Sequence, residues 1–321
     1  MELTRAIVGG TGAYPGARGE IRTVRAEDGS LDHALVFTPA DADAARETVT
    51  IHVPVSDTTL TDITAEDGIG VGDLWTWHAD AQTAAGAPVG AYGVQHLVRM
   101  LAEDGTSAEA FGYAFFDFGN GDLLVGVTAF PVAIDGGRAL AVAPIDRAIV
   151  GGTGRFAGAR GTQHLERGAD GSLELVTELR TDPADAPERT LVLAMAPQPP
   201  VLHDHGPAAG SRGDRRTWEH GFTTETGEAG VARGYATTLD IAEGDDTTRE
   251  AAGVTVFSLP DGSTIVVARF AHEDPAAGMT GGHAGAGAVI GGTGAYAGVS
   301  GEMTTGHGAD GTIVHTFTLR G

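Results

Sequence analysis

The chain has 321 residues, 43 of them acidic and 20 basic, for a net charge of −23. Such a surface repels a nucleic-acid backbone or an anionic membrane. Every basic residue is an arginine and there is no cysteine, which excludes lysine Schiff bases, P-loop lysines, thiol nucleophiles, disulfides and cysteine metal sites. No basic-then-apolar leader opens the sequence and no apolar run reaches about 18 residues. The expectation is an acidic cytoplasmic protein without nucleic-acid or membrane partners.

In chain order, the first element is a glycine motif, Val8-Gly9-Gly10-Thr11-Gly12 through Gly19. It recurs as Val150-Gly151-Gly152-Thr153-Gly154 through Gly161, and as Ile290-Gly291-Gly292-Thr293-Gly294 through Gly301. An Asp-Gly pair and a strand follow each copy, at Asp28-Gly29, Asp170-Gly171 and Asp310-Gly311. The segments between the motifs repeat too: Gly72-Asp73 matches Gly213-Asp214, Thr76-Trp77 matches Thr217-Trp218, and Glu109, Gly112 and Gly121 match Glu250, Gly253 and Gly262. The constant spacing marks a duplicated domain, longer than any solenoid repeat. The motif half occurs three times and the other half twice. The expected division is a half repeat of about three strands at 1–48, a first barrel at 49–187 and a second at 188–321.

Each unit reads as all-β. Val49–Val55, Tyr92–Met100, Glu109–Phe118, Leu123–Pro131 and Leu173–Leu179 are short β-branched or aromatic runs, separated by turn signals such as Asn120-Gly121 and Asp261-Gly262. About eight strands fit in a unit. Tyr92, Val94, His96, Val98 and Met100 form a bulky face, while Ala91, Gly93 and Gln95 form a small or polar one. Period two with one bulky face fits a strand lining a barrel with that face. The expected fold is therefore two tandem eight-stranded antiparallel β-barrels plus the half repeat. The open edges of the half repeat favour docking on a barrel or a homodimer.

The glycine motif fits a dinucleotide fingerprint on paper, yet it occurs three times and leads into a strand, not a helix able to hold a pyrophosphate. Glycines that let a strand kink or turn a barrel corner explain it better. The stretch Ile149 to Gly161 resembles the central motif of plant dirigent proteins. Gly72-Asp73-Leu74, Val89-Gly90, Tyr113-Ala114-Phe115-Phe116, Gly121-Asp122-Leu123 and the ending His315 to Gly321 resemble allene oxide cyclases. The resemblance implies an eight-stranded barrel with a ligand cavity, which steers ring closure or coupling of a reactive intermediate without a redox cofactor. Bacterial relatives of this barrel class include polyketide cyclases, some acting on Diels–Alder steps. Allene oxide cyclases carry a catalytic Glu early in the first barrel strand; here Thr48 to Val53 and Thr190 to Leu193 contain none. The dirigent-type Arg matches Arg18 and Arg160, whereas the third copy has Ser300.

The implied activity is a cofactor-independent cyclase or isomerase acting on an apolar small molecule, with a non-catalytic carrier as the alternative. Four residues are the catalytic candidates. His96 would serve as acid–base or hydrogen-bond donor, and Glu109 as a desolvated general acid. Arg160 would hold an enolate or polarise a carbonyl, and Tyr92 belongs to the same bulky face. Trp77, Tyr113, Phe115, Trp218, Arg233 and Tyr235 are the candidate substrate-binding walls. Plain core, rim or ion-pair roles compete with each. His203-Asp204-His205 has metal-ligand types but lies in a Pro-, Gly- and Ala-rich linker, and no metal is expected.

Overall fold

The computed structural model describes residues 2–28, 30–38, 45–54, 57–61, 70–102, 105–135, 138–142, 144–181, 187–205, 212–241, 249–273 and 286–321. A three-stranded antiparallel sheet comes first: β1 (Glu2–Ile7), β2 (Arg18–Arg25) and β3 (Leu31–Thr38). The first barrel closes from β4 (Ala45–Val53), β6 (Leu74–Thr83), β7 (Pro88–Met100), β8 (Ser107–Asp117), β9 (Leu123–Asp135), β11 (Ile145–Thr153), β12 (Arg160–Arg167) and β13 (Leu173–Thr181). Two short strands, β5 (Asp57–Thr61) and β10 (Arg138–Ala141), add to β6 and β9. The second barrel closes from β14 (Glu188–Met195), β16 (Arg215–Thr224), β17 (Ala229–Ile241), β18 (Arg249–Ser258), β19 (Thr264–Glu273), β20 (Ala286–Thr293), β21 (Ser300–His307) and β22 (Ile313–Arg320), with β15 (Val201–His203) added to β16. The architecture is all-β, and both barrels are eight-stranded and antiparallel. No described helix is long and apolar enough to cross a membrane.

The turn chemistry follows the sequence. Asn120 takes φ 57° and Gly121 φ 83°, the left-handed pair that a tight hairpin between β8 and β9 needs. The Phe118 amide closes it onto the Asp122 carbonyl at 2.9 Å. Within the glycine motif, Gly154 and Gly158 have φ of 58° and 75° around a 3-10 turn, Gly154–Phe156. That turn drops the fully buried Phe156 into the barrel's end.

The three motif copies meet each other. A Cβ on Gly9 would lie 2.8 Å from Val150, one on Gly151 3.0 Å from Ile290, and one on Gly291 3.0 Å from Val8. This cycle of contacts makes β1, β11 and β20 the centre of a pseudo-threefold cluster. Glycine is needed because a side chain would push adjacent units apart. Polar clasps repeat the pattern: Gly294 N–H donates to Glu20 Oε1 at 2.5 Å, and Gly154 N–H to Glu302 Oε2 at 3.1 Å. Arg18 donates to the Gly158 carbonyl at 3.0 Å.

Three apolar cores result, one in each lumen and one between the units. The inter-unit core joins Leu74, Tyr92, Val94 and Phe115 to Val254, Phe270 and Ile290. One expectation is corrected here. The bulky face of β7 was read as lumen-lining, but Tyr92, Val94 and His96 point out of their barrel toward its neighbour. Ala91, Gln95 and Leu97, with the small residues, face the lumen instead. Both faces of β7 are buried, so bulk does not tell inside from outside. The lumen needs the small residues: a Cβ on Gly93 would fall 1.9 Å from the indole nitrogen of Trp77.

Candidate functional site

The first barrel contains a cavity of about 60 Å³ that opens to solvent at one end. Trp75, Trp77, Phe130, Ile145, Leu165 and Leu175 are among its walls, and Arg147 and Arg167 are its titratable residues. Below the cavity the lumen is filled by Phe116, Phe156 and Leu179. At the mouth, Arg167 is tied to the carbonyls of Gly171 and Ala141, each at 3.1 Å.

Arg147 is the deepest polar feature. It lies between Ile145 and Ile149 on β11 and is 3% exposed. Its side chain crosses β9 where Gly126 leaves room; a Cβ there would be 2.3 Å from Arg147 Cδ. The guanidinium is 5.7 Å from the Phe116 ring centre. Nη1 donates to Gln163 Oε1 at 2.5 Å, and Gln163 Nε2 donates to Thr177 Oγ1 at 2.9 Å. The chain of donors fixes the amide orientation of Gln163. Burial lowers the Arg147 pKa to about 10, so it remains a cation at neutral pH. Its cross-strand partner is neutral, which leaves the charge uncompensated inside an apolar lumen. Above it, Trp75 packs edge-on to Phe130 at 5.8 Å, and its indole N–H is buried without an acceptor among the described residues.

The second lumen differs at the same level. Gly287, Met303 and Phe317 stand where the first barrel has Arg147, Gln163 and Thr177. Its Arg269 comes instead from β19, passing over Gly287. His315 and Thr305 replace Leu175 and Leu165, with Thr305 Oγ1 3.0 Å from His315 Nδ1. Burial, followed by the charges of Arg269, His220 and His307, lowers the His315 pKa to about 3.

Of the residues singled out from sequence, Trp77 lines the first cavity, and Trp218 occupies the matching place over Gly234 in the second lumen. Tyr92 and His96, expected in the lumen, face outward, and so do Tyr113, expected as a substrate wall, and Arg160, expected to hold an enolate. Tyr92 OH donates to Glu250 Oε1 across the barrels at 2.8 Å, and burial plus the Glu250 charge raises its pKa. Tyr113, Phe115 and Tyr235 belong to the inter-unit core. Arg160 starts β12 opposite Arg180, on the outward side. Arg233, expected as a substrate-binding wall, is exposed and pairs with Glu219 at 2.8 Å. Glu109 is at a rim, paired with Arg99 at 3.0 Å. His203 Nε2 lies 3.0 Å from Thr217 Oγ1, and no group of three metal-ligand side chains occurs among the described residues. Sequence reasoning missed Arg147, Gln163 and Trp75. The available signal was an arginine between two isoleucines at alternate positions just before the motif.

No family profile matches the chain, and no curated protein matches it. Among solved structures, one titled "Pyocyanin demethylase" is 18% identical, over 41% of this chain and 99% of that one, with a TM-score of 0.33.

Proposed function

We propose that the first barrel is a cofactor-independent cyclase or isomerase site for a small apolar molecule, of polyene or polyketide type, with a carbonyl or anionic oxygen. One observation carries this reading. A guanidinium sealed in an apolar lumen, against a neutral partner, shares its cavity wall with Trp75, whose indole N–H has no acceptor among the described residues. The ligand oxygen would accept from Arg147 and Trp75, while Trp77 and Phe130 hold the chain against the wall. No histidine or carboxylate is among the residues that line the cavity. The chemistry this favours moves no proton to the protein: an intramolecular bond formation in which electrons shift within the substrate and the oxyanion character that develops is held by fixed donors. Product and substrate are then isomers, with no leaving group. Holding both reacting ends together can contribute on the order of 7 kcal/mol or more in well-oriented cases.

The test has two arms. Tryptophan fluorescence would follow binding of decanoate and of decanol to the native chain and to Arg147→Met. Preference for decanoate by at least about tenfold, lost in the variant, is expected from one charged hydrogen bond; equal binding of both probes by the native chain overturns the site. The second arm follows cyclisation of a tethered diene–enone by chromatography. Rate enhancement that Arg147→Met reduces supports the enzyme, whereas Arg147-dependent binding without enhancement favours the carrier reading.

A further inference from the structure

The strand pairings align the two barrels residue by residue, and the walls of the first cavity have polar counterparts in the second. Arg216 stands at the position of Trp75, and His315 at that of Leu175. Thr305 and His307 stand at those of Leu165 and Arg167. All four first-barrel residues line the cavity. Ala271 takes the place of Phe130, so an aromatic ring of that wall is a methyl group in the second barrel. A guanidinium is kept at the level of Arg147, but from a different strand. Arg269 on β19 passes over Gly287, with Cγ 2.8 Å from where a Cβ would be.

This polar set runs from solvent into the lumen. His307 is exposed, and Arg216, Trp218, His220, Arg269 and Ala271 are partly exposed. His315 and Thr305 lie deeper, each 6% exposed. The Phe257 ring packs edge-on to the His315 imidazole at 5.5 Å. On β16, His220 alternates with Trp218 and Phe222 and so faces the lumen with them. Its Nε2 is buried with no hydrogen-bond partner among the described residues. A buried ring nitrogen of this kind is costly unless a ligand supplies the partner.

The electrostatics give the sign of that ligand. The described groups whose charge reaches His315 are Arg269, His220 and His307, on β19, β16 and β21, and no carboxylate is among them. The strand on its other side, β14, brings Leu193 opposite it. The imidazole therefore lies in a positive field inside an apolar wall, where an anion is favoured.

We propose that this end of the second barrel is a separate binding site for a small carboxylate with an apolar body, such as an aromatic or short-chain acid. The carboxylate would lie in the field of Arg269 and accept from an imidazole N–H, while Trp218 and Phe257 pack against the body. The first lumen has Leu175 and Ala79 where the second has His315 and His220, so the two barrels hold ligands by different chemistry.

Calorimetric titration of Arg147→Met with benzoate and with benzyl alcohol, near neutral pH, tests this. The background removes the guanidinium of the first lumen, so the outcome is independent of the reading of that barrel. Preference for benzoate by at least about tenfold is expected from one charged hydrogen bond. Two further variants carry first-barrel residues at their positions, so the fold should persist, as circular dichroism would verify. The pair His315→Leu, Thr305→Leu should abolish the preference, and His220→Ala should lower it by about threefold or more. Equal binding of the two probes overturns the proposal. A benzoate preference indifferent to both variants overturns it equally, since the acid then binds elsewhere.

Discussion

His96 and Arg215 join the two barrels: the guanidinium Nη2 lies 2.8 Å from His96 Nε2. Arginine has only donors, so Nε2 must accept and the ring proton is on Nδ1, directed at the Gly72 carbonyl 3.4 Å away. Burial, then the Arg215 charge, lowers the His96 pKa. The neutral ring is the folded form, whereas the unfolded chain takes up a proton near the ordinary value of about 6.5. The stabilisation is therefore complete above about 6.5 and is lost as pH falls through the lower folded value. His96→Gln keeps an acceptor and does not titrate. Its melting temperature should fall less than that of the native chain between about pH 7 and 5, by calorimetry.

A second imidazole gives a steeper dependence. His315, with a pKa near 3 in the fold, resists protonation that the unfolded chain accepts. At about pH 5 this costs on the order of 2 kcal/mol. The first barrel has Leu175 and Leu165 where the second has His315 and Thr305. The double variant His315→Leu, Thr305→Leu should therefore fold and flatten stability against pH in denaturant titrations. An unchanged acid limb would show that another group governs it.

Trp75→Phe separates binding from folding. It removes a buried N–H that has no acceptor, relieving a cost of about 1–3 kcal/mol while giving up some packing. Stability should change by less than about 1 kcal/mol, as these terms offset. Affinity for decanoate should fall about fivefold to tenfold, read by calorimetry because the reporter indole is lost.

The carboxylate clasps between units are independent of the lumens. Glu20→Ala and Glu302→Ala each leave a glycine amide of another unit without its acceptor. Each should cost about 1–2 kcal/mol. The two are in different contacts of the pseudo-threefold ring, so the double variant should show nearly additive loss. Marked non-additivity would mean that the ring opens as a whole.

The duplication, the strand runs and the hairpin at Asn120-Gly121 were legible because backbone requirements leave direct marks: glycine where φ is positive, β-branched residues where strands run. The direction of the side chains was not. Tyr92 and His96 look like lumen residues because they are bulky and alternate, yet a second buried surface outside the barrel uses the same signal. Arg147 escaped notice for the converse reason. It is a charge inside, at a position where alternation leads one to expect another isoleucine, and the glycine that makes its room, Gly126, is on a different strand.

The contact between Glu20 and Gly294 spans 274 residues, which orders the assembly of the molecule in time. During synthesis the first three strands emerge with no surface to rest on, and the second barrel's last strands are made only at the end. Each complete barrel can form from its own stretch as it leaves the ribosome. The opening sheet can rest on the first barrel through Gly9 and Arg18 once that barrel exists, but its contact with Gly294 must wait until nearly the whole chain is made. The long loop this closes is a slow step, and the interval before it is when the nascent chain is most exposed to aggregation and to chaperones.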